Sequence, residues 1–437
     1  MRVLAKDIAA SARDGAGEVE MLGWVHRIRE LGGVAFLILR DRSGLAQLVL
    51  GEKPGLTLES VIAVRGSPAL NEKAPGGAEL RVDSLTVLSE AAGDLPYQVN
   101  GDVSRVGIEA ILDNRVLSLR SPRIRSIFKV QATIIEAFAA YLRAADFTEI
   151  KTSKLTAGST EGGTNLFMVE YFDRKLFLAQ SPQLYKEALV ASGLERVFEI
   201  APVYRAEKHD TPRHLNEYVS LDLEMAFIES ERDLIELEKG LLAHIFEAVA
   251  LKNGPDLAAW DASVPDPEST ARAPTVAYEE SLAIVNREAA KAGGARIFDI
   301  NPEAERLLCE WSLREQGSDL VFVNEFPRRH RPFYTYPLET AGGGTAALTM
   351  SFDAIFRGLE ITSGSRRHHD YRAFAEALPK FGIKPENMTA YLQILKYGCP
   401  PHGGFAIGLE RLTQKILGLA NVKEASLFPR DRRRVEP

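Results

Sequence analysis

Residues 197–207 read VFEIAPVYRAE, an apolar run that ends in a positively and then a negatively charged residue. The run predicts a strand, and Glu207 would share one face of the sheet with Arg205 because the two are separated by one residue. A cation and an anion side by side can hold a phosphate and an amine. The alternative is a structural Arg–Glu pair beside the solvated loop that follows at residues 208–214.

Two later stretches carry complementary chemistry. Residues 403–412 read GGFAIGLERL, where glycines allow close backbone approach to a ligand and Arg411 would lie near a helix start, which favours anions. Residues 349–364 carry Asp353, Glu360 and Ser363, hard oxygen ligands that could hold magnesium against nucleotide phosphates. Alone, the first stretch could be only a tight turn and the second only a strand with one polar face.

The N-terminal part of the chain predicts a small β-barrel. Five apolar segments separated by turn signals lie between residues 18 and 88: VEMLGWVHRI, GGVAFLILR, LAQLVL, ESVIAVRGS and AELRVDSLTVL. Five strands in about 70 residues suit a closed barrel of the oligonucleotide-binding type. The polar residues 91–107, AAGDLPYQVNGDVSRVG, then indicate a hinge.

The remainder predicts an α+β fold. Apolar residues from Ile127 to Leu142 recur at helical spacing and predict one long amphipathic helix. Asn301 followed by Pro302 predicts another helix start. Strands and helices then intermingle without regular βαβ alternation, which favours an antiparallel sheet. Residues 252–272 indicate a surface loop or insertion.

Composition excludes several classes of protein. The chain has 437 residues, of which 45% are hydrophobic and 26% charged, as in soluble globular proteins of two or three domains. The net charge of −7 argues against a generally polycationic nucleic-acid binder. Two cysteines, Cys309 and Cys399, cannot build a disulfide framework. Since no apolar run reaches membrane-spanning length and no signal peptide is recognisable, we expect a cytoplasmic protein without a membrane partner.

These motifs, in this order after a long helix, resemble the class II aminoacyl-tRNA synthetases. Residues 160–164 (TEGGT), 179–186 (AQSPQLYK) and 358–364 (GLEITSG) narrow the resemblance to the archaeal-type aspartyl-tRNA synthetases. The resemblance covers nearly the whole chain. One departure is Ser153, where the family normally has a proline in the motif that supports the dimer interface.

The resemblance implies three segments. Residues 1–92 would form a five-stranded OB-fold β-barrel that binds the anticodon, residues 93–122 a hinge, and residues 123–437 a class II catalytic domain in which helices flank an antiparallel sheet. It also implies a homodimer. The implied reaction attaches L-aspartate to tRNA through an aspartyl-adenylate, with ATP as co-substrate and Mg²⁺ as cofactor.

Site residues follow from the resemblance, position by position. The implied catalytic residues are Arg205 and Arg411, which would stabilise charge on the phosphates. The implied ATP contacts are Arg205, Ala206, Glu207, Arg213, His214, Leu215, Phe227, Glu360, Gly408, Leu409, Glu410 and Arg411. The implied aspartate contacts are Glu161, Gln183, Leu184, Tyr185, Lys186, Arg205, Ser363 and Arg367. The implied magnesium ligands are Glu360, Ser363 and Asp353. Phe227 would stack on adenine, and Glu161 would capture the α-ammonium from a moving loop.

Selection of the amino acid would rest on Gln183, Lys186 and Arg367. A side-chain carboxylate in a closed pocket needs cationic partners, and a neutral amide would leave those cations unpaired at a cost of several kcal/mol. Asparaginyl-tRNA synthetases share the fold and much of the pattern, but Lys186 argues against that assignment. A catalytically silent tRNA-binding paralogue is another alternative, against which stand the retained arginines and magnesium ligands.

In the barrel, Phe36 lies between small residues on a predicted strand and could stack on an anticodon base, a contact worth ~1–3 kcal/mol. Nearby cations and an amide could add to this surface, although each could also be plain surface and Phe36 plain core. They are Arg27, Arg29, Arg40, Arg42 and Gln47.

His26 and Pro75 bear on which tRNA is charged. In strict archaeal-type enzymes a tryptophan and a lysine tend to stand at the matching positions. Imidazole and proline should tolerate either C or U at the third anticodon base. The chain would then charge both tRNA(Asp) and tRNA(Asn), with a tRNA-dependent amidotransferase as downstream partner. The alternative is a discriminating enzyme in which other contacts enforce strictness.

Overall fold

A computed structural model describes residues 2–31, 34–158, 166–208, 210–338 and 348–436. The chain divides into two compact units, Met1–Arg125 and Ser126–Pro437. Residues 93–122, expected to form a hinge, belong to the first unit, where they include helix α2 (Ile108–Asp113) and helix α3 (Arg115–Ser118). In the described part of the chain, no helix combines the length and apolar character needed to cross a membrane.

The first unit contains the predicted five-stranded barrel. Its strands are β1 (Val19–Leu31), β2 (Val34–Arg40), β3 (Leu45–Leu50), β4 (Val61–Leu70) and β5 (Ala78–Ser89). They close in the order β1-β2-β3-β5-β4, and only the β3–β5 pair is parallel. Alternation along β2 sends Ala35, Leu37 and Leu39 into the core, where Ile8 of helix α1 (Ile8–Arg13) joins them.

An eight-stranded sheet organises the second unit. It contains β6 (Thr148–Glu149), β10 (Arg196–Tyr204), β11 (Glu217–Ala226), β12 (Thr275–Ala277), β13 (Leu320–Asn324), β14 (Ser351–Phe356), β15 (Leu359–Arg366) and β16 (His402–Gly408). The order is β12-β13-β14-β15-β16-β11-β10-β6, antiparallel except for the pair at each edge. A smaller sheet pairs β9 (Arg174–Leu178) with β7 (Leu155–Thr156) and β8 (Met168–Tyr171). The predicted α+β class with an antiparallel sheet is confirmed.

The stretch at residues 349–364 forms a hairpin of two strands, β14 and β15. Arg357 and Gly358 at its turn have φ values of +48° and +74°. Positive φ at both central residues is typical of a type I′ turn, which matches the twist of paired strands. The hairpin places Asp353 directly opposite Ser363.

Helices cover the sheet. The larger ones are α4 (Pro122–Ala144), α6 (Glu231–Lys252), α9 (Tyr278–Lys291) and α10 (Pro302–Gln316). The shorter ones are α5 (Gln183–Leu189), α7 (Gly254–Ala258), α8 (Pro267–Ala271), α11 (Tyr371–Ala377), α12 (Thr389–Lys396) and α13 (Leu409–Leu417). Residues 252–272, expected to be a loop, therefore contain two short helices.

The main core lies between these helices and the sheet. Ile134 and Phe138 of α4, with Phe246 of α6, are fully buried against sheet residues such as Phe198 and Leu223. The helical spacing from Ile127 onward thus marked a face that packs on the sheet, as predicted. Asn301 caps α10 by accepting a hydrogen bond from the Ala304 N–H. On the opposite face, α9 and α10 cover β13 and β14, and the strands β11, β15 and β16 are left for the site.

Candidate active site

A cavity of about 310 Å³ opens on the face of the eight-stranded sheet. Tyr218, Ser220 and Asp222 line it from β11, whereas Leu221 and Leu223, at the alternate positions, enter the core. This alternation gives one strand an apolar side that holds the fold and a polar side that forms the site. Most of the residues implied by the resemblance lie around this cavity: Gln183, Lys186, Arg205, Glu207, Arg213, His214, Leu215, Glu360, Ser363, Arg367, Gly408, Glu410 and Arg411.

One end of the cavity is rich in arginine. Strand β10 ends at Tyr204, so Arg205 and Glu207 lie just beyond the strand and not on one sheet face as expected. The Arg205 guanidinium lies 5.6 Å from the centre of the Tyr218 ring. Arg411 lies in the first turn of α13, after Gly408, and donates to the Glu360 carbonyl at 3.0 Å. Charged donors near a helix N-terminus suit a phosphate group.

A third arginine at this end has an acidic partner that sequence reasoning missed. Arg213 donates to both carboxylate oxygens of Glu305, on α10. Glu305 also accepts from the Glu360 N–H at 3.0 Å, so it links the loop after β10 to strand β15. Arg213 lies in the loop after β10 and lines the cavity.

The oxygens expected to bind magnesium lie close together. Arg331 Nη1 donates to Asp353 Oδ1 at 2.8 Å and to Ser363 Oγ at 2.9 Å. Burial raises the pKa of Asp353, Arg331 lowers it and the charge of Glu360 raises it, with a net rise. Arg331 was not singled out from the sequence, where it is one of several cations in PRRHRP.

These donors fit a shared magnesium site. Within the described ranges, no three His, Cys, Asp or Glu side chains converge as a metal cage. Two carboxylates and a hydroxyl beside the arginine-rich end of the cavity are nevertheless the oxygen chemistry that Mg²⁺ prefers when phosphates of a ligand complete its shell.

The other end of the cavity is a buried network of charges. Lys186 Nζ lies 3.1 Å from Asp222 Oδ1 and 3.2 Å from Glu224 Oε2. Arg367 Nε donates to Glu224 Oε1 at 3.0 Å, and Nη2 donates to Gln183 Oε1 at 3.3 Å. All five side chains are at least nine-tenths buried. The two expected cations are therefore held in place by two carboxylates.

Asp222 and Glu224 were missed from the sequence, although a signal was present. In VSLDLEMAF two acids alternate with apolar residues, a pattern typical of a strand with a polar face. Gly404 of β16 makes room for the network: a Cβ at this position would collide with Glu224, and its carbonyl accepts from Arg367 Nη2 at 3.0 Å.

Several implied residues lie elsewhere. Leu184, Tyr185, Ala206 and Leu409 do not line the cavity. The implied adenine contact at Phe227 is also displaced, since this residue follows the far end of β11, is 68% exposed and has a φ of +59°. Glu161 lies outside the described residues.

Glu410 is a buried carboxylate at the edge of the cavity. Both of its oxygens accept from the Val219 N–H at 3.1 Å, so it anchors α13 to β11. Burial raises its pKa to about 7.

The barrel presents a second candidate surface. Phe36 and Gln47 alternate with core residues and lie on the outer side, and Phe36 pairs with Arg29 of the neighbouring strand. Pro75 begins a 3-10 turn between β4 and β5. Arg40 does not contribute to this surface as expected, because it is buried and makes a two-bond ion pair with Glu59.

His26 lies at a β-bulge in β1, where the pairing with β2 shifts between Val25 and Arg27. Its Nδ1 is 2.9 Å from Arg40 Nη1, which can only donate, so the ring proton resides on Nε2. Burial and the charge of Arg40 lower the pKa of His26. The imidazole is therefore neutral near pH 7.

The chain matches two family models. Residues 107–432 match the tRNA synthetases of class II (D, K and N), and residues 19–88 match the OB-fold nucleic acid binding domain. The chain belongs to the class II tRNA synthetases. The resemblance predicted from the motifs is thereby confirmed, together with the OB-fold assignment of the barrel.

Several full-length relatives of this synthetase bear the name aspartate–tRNA ligase. It is 46% identical to the aspartate–tRNA(Asp/Asn) ligase of Thermus thermophilus, with 100% of both chains covered. It is 42% identical to that of Methanopyrus kandleri (97% of each chain) and 38% identical to the aspartate–tRNA(Asp) ligase of Pyrococcus abyssi (96% of each).

Solved structures match over the whole chain as well. Asparaginyl-tRNA synthetase from Pyrococcus horikoshii, complexed with asparaginyl-adenylate, has a TM-score of 0.88 at 29% identity, with 100% of both chains covered. Aspartyl-tRNA synthetase from Entamoeba histolytica has a TM-score of 0.84 at 27% identity, with 100% of this chain and 93% of that chain covered.

Proposed function

We propose that this synthetase attaches L-aspartate to tRNA with ATP as co-substrate, and that it accepts both tRNA(Asp) and tRNA(Asn). The observation that carries the amino-acid assignment is the buried pair of cations, Lys186 and Arg367, at one end of a cavity whose other end holds Arg205 and Arg411. A cavity with ammonium and guanidinium donors, held by carboxylates, at one end and arginines at the other fits an amino acid with a side-chain carboxylate and a nucleotide.

In the first step, an aspartate α-carboxylate oxygen bonds to the α-phosphorus of ATP, the bond to the bridging oxygen breaks, and pyrophosphate leaves. Arg205 holds the α-phosphate and the reacting carboxylate, while Arg411 holds the far end of the triphosphate. These charges are fixed before the reaction, so they stabilise the transition state without reorganisation. Asp353, Glu360 and Ser363 would hold Mg²⁺, which neutralises phosphate charge when bound.

In the second step, a hydroxyl of the terminal ribose of tRNA attacks the aspartyl carbonyl carbon and AMP leaves. No dedicated protein nucleophile is required, which agrees with a cavity lined by charge-stabilising groups. Lys186 and Arg367 bind the aspartate side chain through both steps, and an asparagine amide would leave their buried charges with a weaker partner.

Acceptance of both tRNAs rests on the barrel. His26 is neutral and held by Arg40, and Pro75 offers no charged donor, so neither side chain is built to reject C or U. Relatives at 46%, 45% and 42% identity bear the name aspartate–tRNA(Asp/Asn) ligase, which supports the relaxed assignment. The alternative is strict charging of tRNA(Asp), as the names of several relatives at 38% identity state.

The decisive experiment charges two transcripts that differ only at the third anticodon base, with labelled aspartate and, separately, labelled asparagine. We expect aspartate to be attached to both transcripts at rates within tenfold of each other. A preference for C above roughly a hundredfold would establish the discriminating alternative, equivalent to ~2.7 kcal/mol. Preferential activation of asparagine would instead establish an asparaginyl enzyme, which the structural similarity makes the relevant competitor.

Two partnerships belong to the same proposal. Asp-tRNA(Asn) is a mischarged product, so a tRNA-dependent amidotransferase would have to convert it. A homodimer is expected from the family resemblance, although Ser153 replaces the usual proline; its Oγ accepts from the Leu155 N–H at 3.2 Å, which orders the turn locally.

A further inference from the structure

A second buried polar cluster lies behind the amino-acid end of the cavity and does not line it. It consists of Glu187 on α5, His402 at the start of β16 and Tyr391 on α12. The side chains of Glu187 and His402 have no exposed surface, and Tyr391 is buried. Burying three polar groups is costly unless they are mutually satisfied, so the cluster calls for a physical explanation.

The hydrogen bonds define the charge on each member. Glu187 Oε2 accepts from the Tyr391 hydroxyl and lies 3.2 Å from His402 Nε2. His402 Nδ1 lies 2.9 Å from the Pro400 carbonyl oxygen. Because one ring nitrogen faces a carboxylate and the other a carbonyl, both must carry protons. The cluster is therefore an imidazolium–carboxylate pair.

The directions of the pKa shifts agree with a protonated His402 and an ionised Glu187. Burial alone would lower the pKa of His402, but hydrogen bonds with Cys399 and Glu187 and the charge of Glu187 raise it to about 10. Burial alone would raise the pKa of Glu187, but His402 and Arg367 lower it.

Glu187 also determines the orientation of a residue in the cavity. Its Oε1 accepts from Gln183 Nε2 at 2.7 Å, one helical turn away on α5. An ionised carboxylate can only accept, so the Gln183 amide must direct its nitrogen to Glu187. Its oxygen then faces Arg367 Nη2, 3.3 Å away. The opposite orientation would bring two donors together at Arg367.

We propose that Glu187, held ionised by His402, is a positioning residue that fixes the amide of Gln183 and, through it, the Arg367 guanidinium that receives the substrate's side-chain carboxylate. The inference rests on the proposed function for the identity of that substrate. The relay itself is a property of the described side chains: His402 acts on Glu187, Glu187 on Gln183, and Gln183 on Arg367, while the Tyr391 hydroxyl adds a hydrogen bond to Glu187.

The Glu187→Gln variant tests the relay with almost no change of shape. The amide oxygen of the new glutamine would accept the hydrogen bonds from Tyr391 and His402, so its NH₂ group would face the Gln183 nitrogen. Gln183 can escape only by turning its amide, which moves the donor–donor conflict to Arg367. We expect the KM for aspartate in ATP–pyrophosphate exchange to rise at least tenfold, while the KM for ATP stays within about twofold and kcat changes less than the KM for aspartate.

Two further variants separate positioning from stability. Tyr391→Phe removes one hydrogen bond but leaves Glu187 ionised, so it should lower the midpoint of urea unfolding with less than a threefold change in the KM for aspartate. Glu231→Gln is the matched control, because Glu231 is also a buried glutamate that accepts from an amide, Asn324 Nδ2, at 2.9 Å. It should leave both KM values unchanged.

A crystal structure of the Glu187→Gln variant provides a readout independent of activity. We expect the Gln183–Arg367 hydrogen bond to be lost while the fold is kept. A wild-type KM for aspartate in this variant, or a rise matched by Tyr391→Phe or Glu231→Gln, would overturn the proposal. If the wild-type protein activates no aspartate, the proposed function fails. The relay is then judged from the crystal structure of the variant: a broken Gln183–Arg367 contact supports it, and an unchanged contact contradicts it.

Discussion

In the proposed function, the cavity and the outer face of the barrel would each select a substrate, but by different physical means. In the cavity, Lys186 and Arg367 are buried and paired with two carboxylates, so a substrate group of the wrong charge meets fixed, desolvated ions. On the barrel, Phe36 and Gln47 are partly exposed and His26 is neutral. Desolvated charge makes selection strict, whereas stacking and neutral hydrogen bonding leave it tolerant.

The largest effect should come from removing the arginines that are proposed to bind the phosphates. These variants separate a loss of catalysis from a loss of amino-acid selection. Arg205→Ala and Arg411→Ala should each lower aspartate-dependent ATP–pyrophosphate exchange by roughly 10³-fold, because preorganised positive charge is lost where negative charge develops. The preference for aspartate over asparagine should persist in the residual activity. Arg306→Ala, at an exposed arginine of α10, is the control and should retain wild-type exchange. Unchanged exchange in both site variants would contradict the assignment.

The next largest effect is expected for Lys186→Leu, which removes one of the two buried cations of the cavity. The variant should lose aspartate activation far more than ATP binding, and unfolding in urea should show a loss of about 3–5 kcal/mol, because Asp222 and Glu224 are left with less compensation. Adding Asp222→Asn should restore part of the stability but not the activation. If the double variant also recovered aspartate activation, charge pairing in this pocket would not explain selection.

Glu410 differs from the ion-paired carboxylates of the cavity because its hydrogen-bond donor is a backbone N–H. We expect this difference to appear in the pH dependence of stability. Burial raises its pKa from 4.5 to about 7, so the folded protein favours the protonated form. Its contribution to stability is complete below pH 4.5 and is lost as the pH rises through 7, by about 3 kcal/mol in total. Glu410→Gln should therefore flatten the decline in urea stability between pH 5 and pH 8. An identical decline in both proteins would refute this.

On the barrel, His26→Trp should convert an enzyme that charges both tRNA(Asp) and tRNA(Asn) into one that charges only tRNA(Asp). A bulky ring at the bulge should favour the C-containing transcript by roughly a hundredfold, or ~2.7 kcal/mol, in aspartylation assays. An unchanged ratio would show that His26 is not the determinant.

The smallest effect is expected for Phe36→Ala. Loss of one stacking contact should weaken charging of both transcripts equally, by ~1–3 kcal/mol, when kcat/KM is measured for each. Unequal losses would mean that Phe36 takes part in selecting the third base.

The sequence by itself determined the local elements and the cationic residues. Alternation predicted the barrel strands, helical spacing predicted α4, and motif order predicted Arg205, Lys186, Arg367 and Arg411. The strand and helix predictions are confirmed because apolar periodicity and glycine or proline punctuation act over a few residues, whereas the roles of the four cations stay predictions from the resemblance. The sequence resemblance did not succeed at Phe227, since the strand before it continues away from the cavity and leaves its side chain exposed.

Only the tertiary structure decided which charges are paired. Arg367 meets Glu224 across 143 positions, Arg213 meets Glu305 across 92, and Arg40 meets Glu59 across 19. No local period carries such pairings, because they arise when separate strands and helices pack together. The energetic character of each ion depends on that packing: Arg40 is buried against Glu59 inside the barrel, whereas Arg367 is buried against Glu224 at the edge of a cavity, where it can also meet a ligand.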